Sequence, residues 1–89
     1  MYLAKVVGVV VATTKDEKLV GSKILVVQPI DTNDDPIRNR EVVVDSVGAG
    51  IGETVLVASG SSARNAFGDK GAPVDSAIVA IVDSVEISD

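Results

Sequence analysis

The sequence predicts an all-β fold, a small five-stranded barrel carrying one short helix, and three observations predict it. Val, Ile and Ala supply most of an apolar content of 46%, whereas aromatics make up 2%; β-branched aliphatic side chains suit a pleated, half-buried surface. Five runs rich in Val or Ile recur along the chain, each bounded by Gly, Pro, Asp, Asn or Ser. Gly8 interrupts the first of them, where a small closed barrel needs a bulge or a sharp bend at a corner.

The first strand is expected over Leu3 to Thr13. "MYLAKVVGVVVATTK" has the outline of a signal peptide, a lysine followed by an apolar run from Val6 to Ala12. That run is at the short end of the range and mostly β-branched, and no small-residue cleavage motif follows, so a strand is the expected element. No stretch approaches the length of a membrane span. "TTKDEKLVGS" is a polar connection to a second strand over Lys23 to Ile30. "DTNDDPIRNR" is another, leading to a third strand over Glu41 to Asp45. "VGAGIG" then links to a fourth strand over Thr54 to Ala58. It is too short for a parallel crossover, so the third and fourth strands are expected to be antiparallel.

"GSSARNAFG" reads as one or two helical turns. Ser61 or Ser62 would cap its N-terminus and Gly68 would end it, with Phe67 pointing into the barrel end. A final strand spans Ala77 to Ile87. In "AIVAIVDSV" both alternating sets, Ile78/Ala80/Val82 and Val79/Ile81, are apolar. A strand with one wet face would alternate apolar with polar residues. One face should fill the barrel, and the other should meet a second copy of the chain. Five short strands and a small helix describe an OB-like, partly open barrel, a single domain over residues 1–89.

Totals narrow the function. At 89 residues a chain buries little more than about 60% of its unfolded surface, and domains this small often add disulfides, metals or oligomerisation. The chain has no cysteine and no histidine, which excludes disulfides and the usual zinc ligand sets. Oligomerisation remains, and it would also cover the surplus of aliphatic surface. The net charge is −5, from 8 basic and 13 acidic residues. Nucleic-acid binders need basic residues to neutralise phosphates, and OB-type barrels add aromatic platforms for bases. With Tyr2 and Phe67 as the only aromatics, the fold does not carry that function with it.

Three segments invite chemical readings. "GAGIG" resembles part of a dinucleotide fingerprint, but a strand follows it where the fingerprint requires a helix N-terminus; a tight turn or a close backbone approach is the ordinary reading. "SGSSAR" could present a nucleophile, but no histidine is available as base, and no spacing specifically supports a pairing with Lys70. "DTNDDP" sets Asp31, Asn33 and Asp35 at the first, third and fifth positions of an EF-hand loop. Pro36 then replaces the glycine and Val42 the final glutamate, so an acidic surface turn is expected. Arg64 stands alone between Arg40 and Lys70. Its fork of five donors suits carboxylates or carbonyls of a neighbouring chain, with a solvated surface arginine as the alternative.

Taken together, "AKVVGVVVATTKDEKLVGSKILVVQPID", "DSVGAGIGETVLVASGSSAR" and "PVDSAIVAIVDSVEI" resemble the EutN/CcmL family, the pentameric vertex proteins of bacterial microcompartment shells. The resemblance covers nearly the whole chain, and residues 31–40 depart from it. It implies a small β-barrel that assembles into a homopentamer, has no cofactor, metal or catalytic residue, and binds neither nucleic acid nor membrane. Such pentamers close the five-fold vertices of a shell otherwise built from hexameric and trimeric proteins, within the bacterial cytoplasm. The shell encloses enzymes, and the vertex protein catalyses nothing. On this resemblance Gly48, Ala49, Gly50, Arg64, Val79 and Ile81 are expected at the subunit interface, with a compact glycine turn where any Cβ would crowd a neighbour. Ser59, Gly60, Ser61 and Ser62 are expected at the central pore, where small polar groups suit a narrow wet opening. A generic OB-like binding module and a small serine-dependent enzyme are the alternatives.

Overall fold

The computed structural model describes residues 1–13, 15–60, 63 and 74–89. Five strands, β1 (Tyr2–Val10), β2 (Lys23–Pro29), β3 (Glu41–Asp45), β4 (Thr54–Ser59) and β5 (Ser76–Val82), close into a barrel in the order β1-β2-β3-β5-β4. Four of the seams are antiparallel, and the β3–β5 seam is parallel and only two pairs long, Val44↔Ala77 and Asp45↔Ile78. A 3-10 turn at Glu17–Leu19 is capped by Asp16, whose carboxylate accepts the Lys18 N–H at 2.9 Å. The expected helix over residues 61–68, Phe67 included, lies outside the described residues except for Ala63.

All five strands are where the apolar runs place them, but two of them stop early. β1 ends at Val10, opposite Ile24, and β5 ends at Val82, opposite Thr54, where β4 begins. Val11 and Ala12 follow the first point, and Val85 and Ile87 the second, but a strand lasts only as long as a neighbour supplies hydrogen bonds. The expected opposite sense of β3 and β4 is found, with a difference in pairing. They run in opposite directions but do not pair, because β5 lies between them. The glycine-rich connection does not turn back as a hairpin; it crosses to β1, where the Gly52 N–H donates to the Val6 carbonyl at 2.9 Å.

Ala4, Val6, Leu25, Val27, Val43, Val55, Val57 and Ile78 fill the barrel, with Ala49 among them and Tyr2 packed at the edge. A second, smaller cluster of Val44, Ala63, Val74 and Ala77 lies under Leu19. Two bulges shape the wall. In β1 the register shifts between Val6 and Gly8, as expected of that glycine, leaving Val7 as the extra residue. In β5 it shifts opposite Leu56/Val57, leaving Val79 unpaired.

The second bulge revises the reading of the last strand. Directly paired antiparallel residues share a face of the sheet. Ile78 pairs with Val57 and Ile81 with Val55, whereas Ala80 pairs with Leu56 and Val82 with Thr54. Ile78 and Ile81 therefore share the inner face, and Ala80 and Val82 the outer one. A strict alternation had set Ile78 with Ala80 and Val82. One inserted residue exchanges the faces beyond it.

The acidic turn after β2 closes on itself. Asp31 Oδ1 accepts the N–H groups of Asn33 at 2.8 Å and Asp35 at 3.0 Å. Ile30 and Pro36 form an isolated bridge across the turn. The carboxylate that would have led a calcium loop is used as an Asx-turn acceptor.

Candidate subunit interface and pore

The glycine loop between β3 and β4 is organised from its first residue. Asp45 ends β3 and is 2% exposed. Its Oδ1 accepts the Val47 N–H at 2.8 Å, and its Oδ2 accepts the Ala49 N–H at 2.7 Å. Lys23, opposite Asp45 on β2, places its Nζ 3.8 Å from Oδ2 and donates to the Ala49 carbonyl. Ala49 is thereby drawn into the core of its own chain, 0% exposed, with both backbone groups engaged. A subunit boundary was expected there. The outer surface of the loop is left to Gly48, Gly50, Ile51 and Gly52.

The far side of the loop is equally fixed. Gly50 donates its N–H to Glu53 Oε1 at 2.6 Å, and the Glu53 N–H returns to the Gly50 carbonyl at 3.2 Å. The Val6 N–H donates to the Glu53 carbonyl at 3.0 Å, so the loop is tied to β1 beside its bulge. Gly48 and Gly52 have φ of +94° and +90°, and a Cβ at either would meet nothing of this chain within 4 Å. Within this chain their identity follows from the left-handed backbone that glycine adopts without a steric penalty. Only at Gly50 would a Cβ come close, 3.3 Å from Glu53 Oε1.

Ile81 faces the inner side at the end of β5 and remains 36% exposed, and Val79 occupies the bulge. Ser59 ends β4 opposite Ser76, and Gly60 follows with φ +65° and donates its N–H to the Asp75 carbonyl at 2.8 Å. Both are exposed. The other expected pore residues, Ser61 and Ser62, and the expected interface residue Arg64 lie outside the described residues, as does Lys70.

Sequence reasoning missed two constellations. The Lys23–Asp45 anchor is one; its signal is an aspartate between a valine run and "SVG", the pattern of an Asx-type turn. The other closes a barrel edge. The Tyr2 hydroxyl donates to the Glu41 carboxylate, the Arg38 guanidinium lies 4.3 Å over the Tyr2 ring, and Arg38 Nε is 3.9 Å from Glu41. Burial first, then the Glu41 carboxylate, pushes the Tyr2 phenol well above its usual pKa of 10.0. Ile51, two-thirds exposed on the loop, was also passed over, because an isoleucine between glycines reads as filler. Among the described residues no group of three metal-ligating side chains converges, and no helix is long and apolar enough to cross a membrane. The carboxylates of Asp31, Asp45 and Glu53 accept from their own loops. The arrangement builds a rigid surface.

The barrel has close counterparts among known proteins. Residues 1–83 match the family described as ethanolamine utilisation protein EutN/carboxysome. The chain is 51% identical over 86 residues to the bacterial microcompartment shell vertex protein GrpN of Rhodospirillum rubrum, covering 97% of each chain. It is 48% identical over 88 residues to the carboxysome shell vertex protein CcmL of Synechocystis, covering 99% of this chain and 88% of that protein. Among solved structures, an ethanolamine utilization protein EutN superposes with a TM-score of 0.93 at 42% identity, over 98% of this chain and 91% of that one. The GrpN pentameric microcompartment shell protein from Rhodospirillum rubrum superposes with a TM-score of 0.87 at 49% identity, over 99% and 100%.

Proposed function

The chain belongs to the EutN/CcmL family, and from that membership we propose that it is a structural shell protein whose pentamers cap the vertices of a bacterial microcompartment. The observation that carries this reading is near-complete coverage, 97% of both chains at 51% identity, with a protein named as a shell vertex protein. The solved structure of GrpN from the same species, described as pentameric, superposes over its full length. The role is architectural, and the shell is where the protein resides.

A five-fold ring needs a heterologous interface, in which two different patches of one chain meet around the axis. Gly48, Gly50 and Arg64, with Val79 and Ile81 of β5, are proposed to contribute to it, Ala49 holding the loop from beneath. Ser59 to Ser62 are proposed to line the pore. Hexameric and trimeric shell proteins are the proposed partners of the finished ring: flat hexagonal tiling gains closure only where five-fold units replace six-fold ones. Light scattering across a size-exclusion peak tests the foundation. About five times the 9.1 kDa chain mass is expected, and a clean monomer over a wide concentration range would remove the reading. Co-expression with shell hexamers then tests the partners; closed shells that lack the protein at their vertices would count against them.

A further inference from the structure

The outer wall of the barrel carries two cations that the chain itself leaves uncompensated. Lys5 on β1 pairs with Gln28 on β2, and Arg40, just ahead of β3, donates its Nε–H to Gln28 Oε1 at 3.4 Å. Val27, beside Gln28, is buried in the barrel, so Gln28 and the side chains that flank it are on the outside. Glu41 pairs with Val27 and accepts from Tyr2 at the barrel edge, away from this row. Among the described residues neither Lys5 nor Arg40 forms an ion pair, whereas Lys23 has Asp45 and Arg38 has Glu41. In a chain of net charge −5, two cations side by side without a carboxylate point to one supplied from outside.

The row is also held in place. Gln28 Nε2 donates to the carbonyls of Pro29 at 3.0 Å and Arg38 at 2.8 Å. The Ile37 N–H donates to the Pro29 carbonyl at 3.2 Å, and Arg38 lies 4.3 Å over the Tyr2 ring. The segment that delivers Arg40 is therefore anchored at several points, although residues 32–40 are all exposed. Surface ordered in this way meets a partner with less left to immobilise. Lys5 and Arg40 are two strands apart, about 10 Å between Cα atoms, so their long side chains can converge on one carboxylate above Gln28. A small free anion is a poor occupant. The cleft among Thr32, Asp34, Thr54 and residues 82–85 includes neither cation, and exposed ion pairs alone contribute little. A carboxylate on a protein surface brings further contact with it, and Ile37, 49% exposed, stands in the same segment to receive it. Residues 31–40 depart from the family pattern, whereas ring formation is common to the family. A contact delivered by this segment answers to what differs between shells, which is the protein next to the ring.

We infer that Lys5 and Arg40 clamp an aspartate or glutamate carboxylate on the neighbouring protein of the shell. The inference rests on the vertex reading and adds to it the chemistry of the outward contact. The native protein supplies the first test. A carbodiimide joins an amine directly to a carboxylate in contact with it, without a spacer. In shells co-expressed with hexamers, peptide mass spectrometry is expected to find Lys5 joined to an aspartate or glutamate of the hexamer. Lys5 joined only to copies of this chain, or left unjoined while other lysines react, overturns the inference. Charge reversal gives an independent reading. Lys5→Glu/Arg40→Glu is expected to keep the pentamer by light scattering and to enter shells about tenfold less, because like charges across a contact oppose it. Lys5→Gln/Arg40→Gln should fall between that variant and the native protein. Native levels of the charge-reversed pentamer in closed shells overturn the inference and leave the vertex reading standing. Loss of the pentamer in either variant gives the pair to the ring and overturns it as well. Native pentamers that never enter shells overturn the vertex reading itself.

Discussion

Replacing Asp45 by asparagine keeps the shape of the side chain and removes half of its function. The carboxylate accepts two backbone N–H groups, at 2.8 and 2.7 Å, in a site that is 2% exposed. Asparagine has a single carbonyl oxygen, so it serves either Val47 or Ala49, and its NH₂ faces the other N–H donor. Losing one charge-assisted bond costs about 1.5–3 kcal/mol, and the remaining bond falls to neutral strength, about 1 kcal/mol weaker. The Lys23 side chain is 49% exposed, so solvent screens its pairing and the loss there is no more than about 0–1 kcal/mol. The expected destabilisation is about 3 kcal/mol, which for a domain of this size lowers Tm by about 12–24 °C. Thermal unfolding by circular dichroism at matched protein concentration is the assay, because ring formation makes Tm concentration-dependent. A Tm within about 4 °C of the native value, equivalent to about 1 kcal/mol or less, would refute the role assigned to Asp45.

Gly48→Ala puts a Cβ on a residue at φ +94° with open space around it, so the cost is conformational, about 1–2 kcal/mol; a native Tm would contradict it. Gly50→Val is expected to impair the pentamer, and an unchanged pentamer of native thermal stability would sink the placement of Gly50 at the interface. Tyr2→Phe addresses alkaline stability. The phenol pKa is raised by folding, so its stabilising contribution is fully present below about pH 10 and is lost as pH rises toward the folded value. The native protein should therefore lose Tm more steeply than Tyr2→Phe between about pH 10 and 11, and parallel curves would count against the Tyr2–Glu41 bond.

Strand positions were legible because valine runs announce them, and the Gly8 bend because a glycine inside such a run has few other uses. Pairing order was not legible. A short connection normally joins neighbours, but Asp45 and Lys23 turn the loop over the barrel end, and β5 fills the vacated place between β3 and β4. The faces of β5 were misread for a different reason: nothing in "AIVAIVD" distinguishes Val79 as the unpaired residue, since every candidate is an aliphatic of similar propensity. The geometry of the glycine loop was half legible. Glycines at 48 and 52 were noticed, but the sequence does not show the left-handed φ that each of them adopts. Ala49 had no signal at all, because an alanine between glycines looks external until its two hydrogen-bonded backbone groups are seen.

The slot that β5 occupies has a consequence for biosynthesis. β5 makes both seams that close the barrel, with β3 and with β4, and it is the last of the five barrel strands to be translated. A nascent chain stopped before residue 76 leaves β3 and β4 without their shared neighbour and the inner wall open to chaperones and proteases. Barrel closure therefore waits on one short stretch of synthesis.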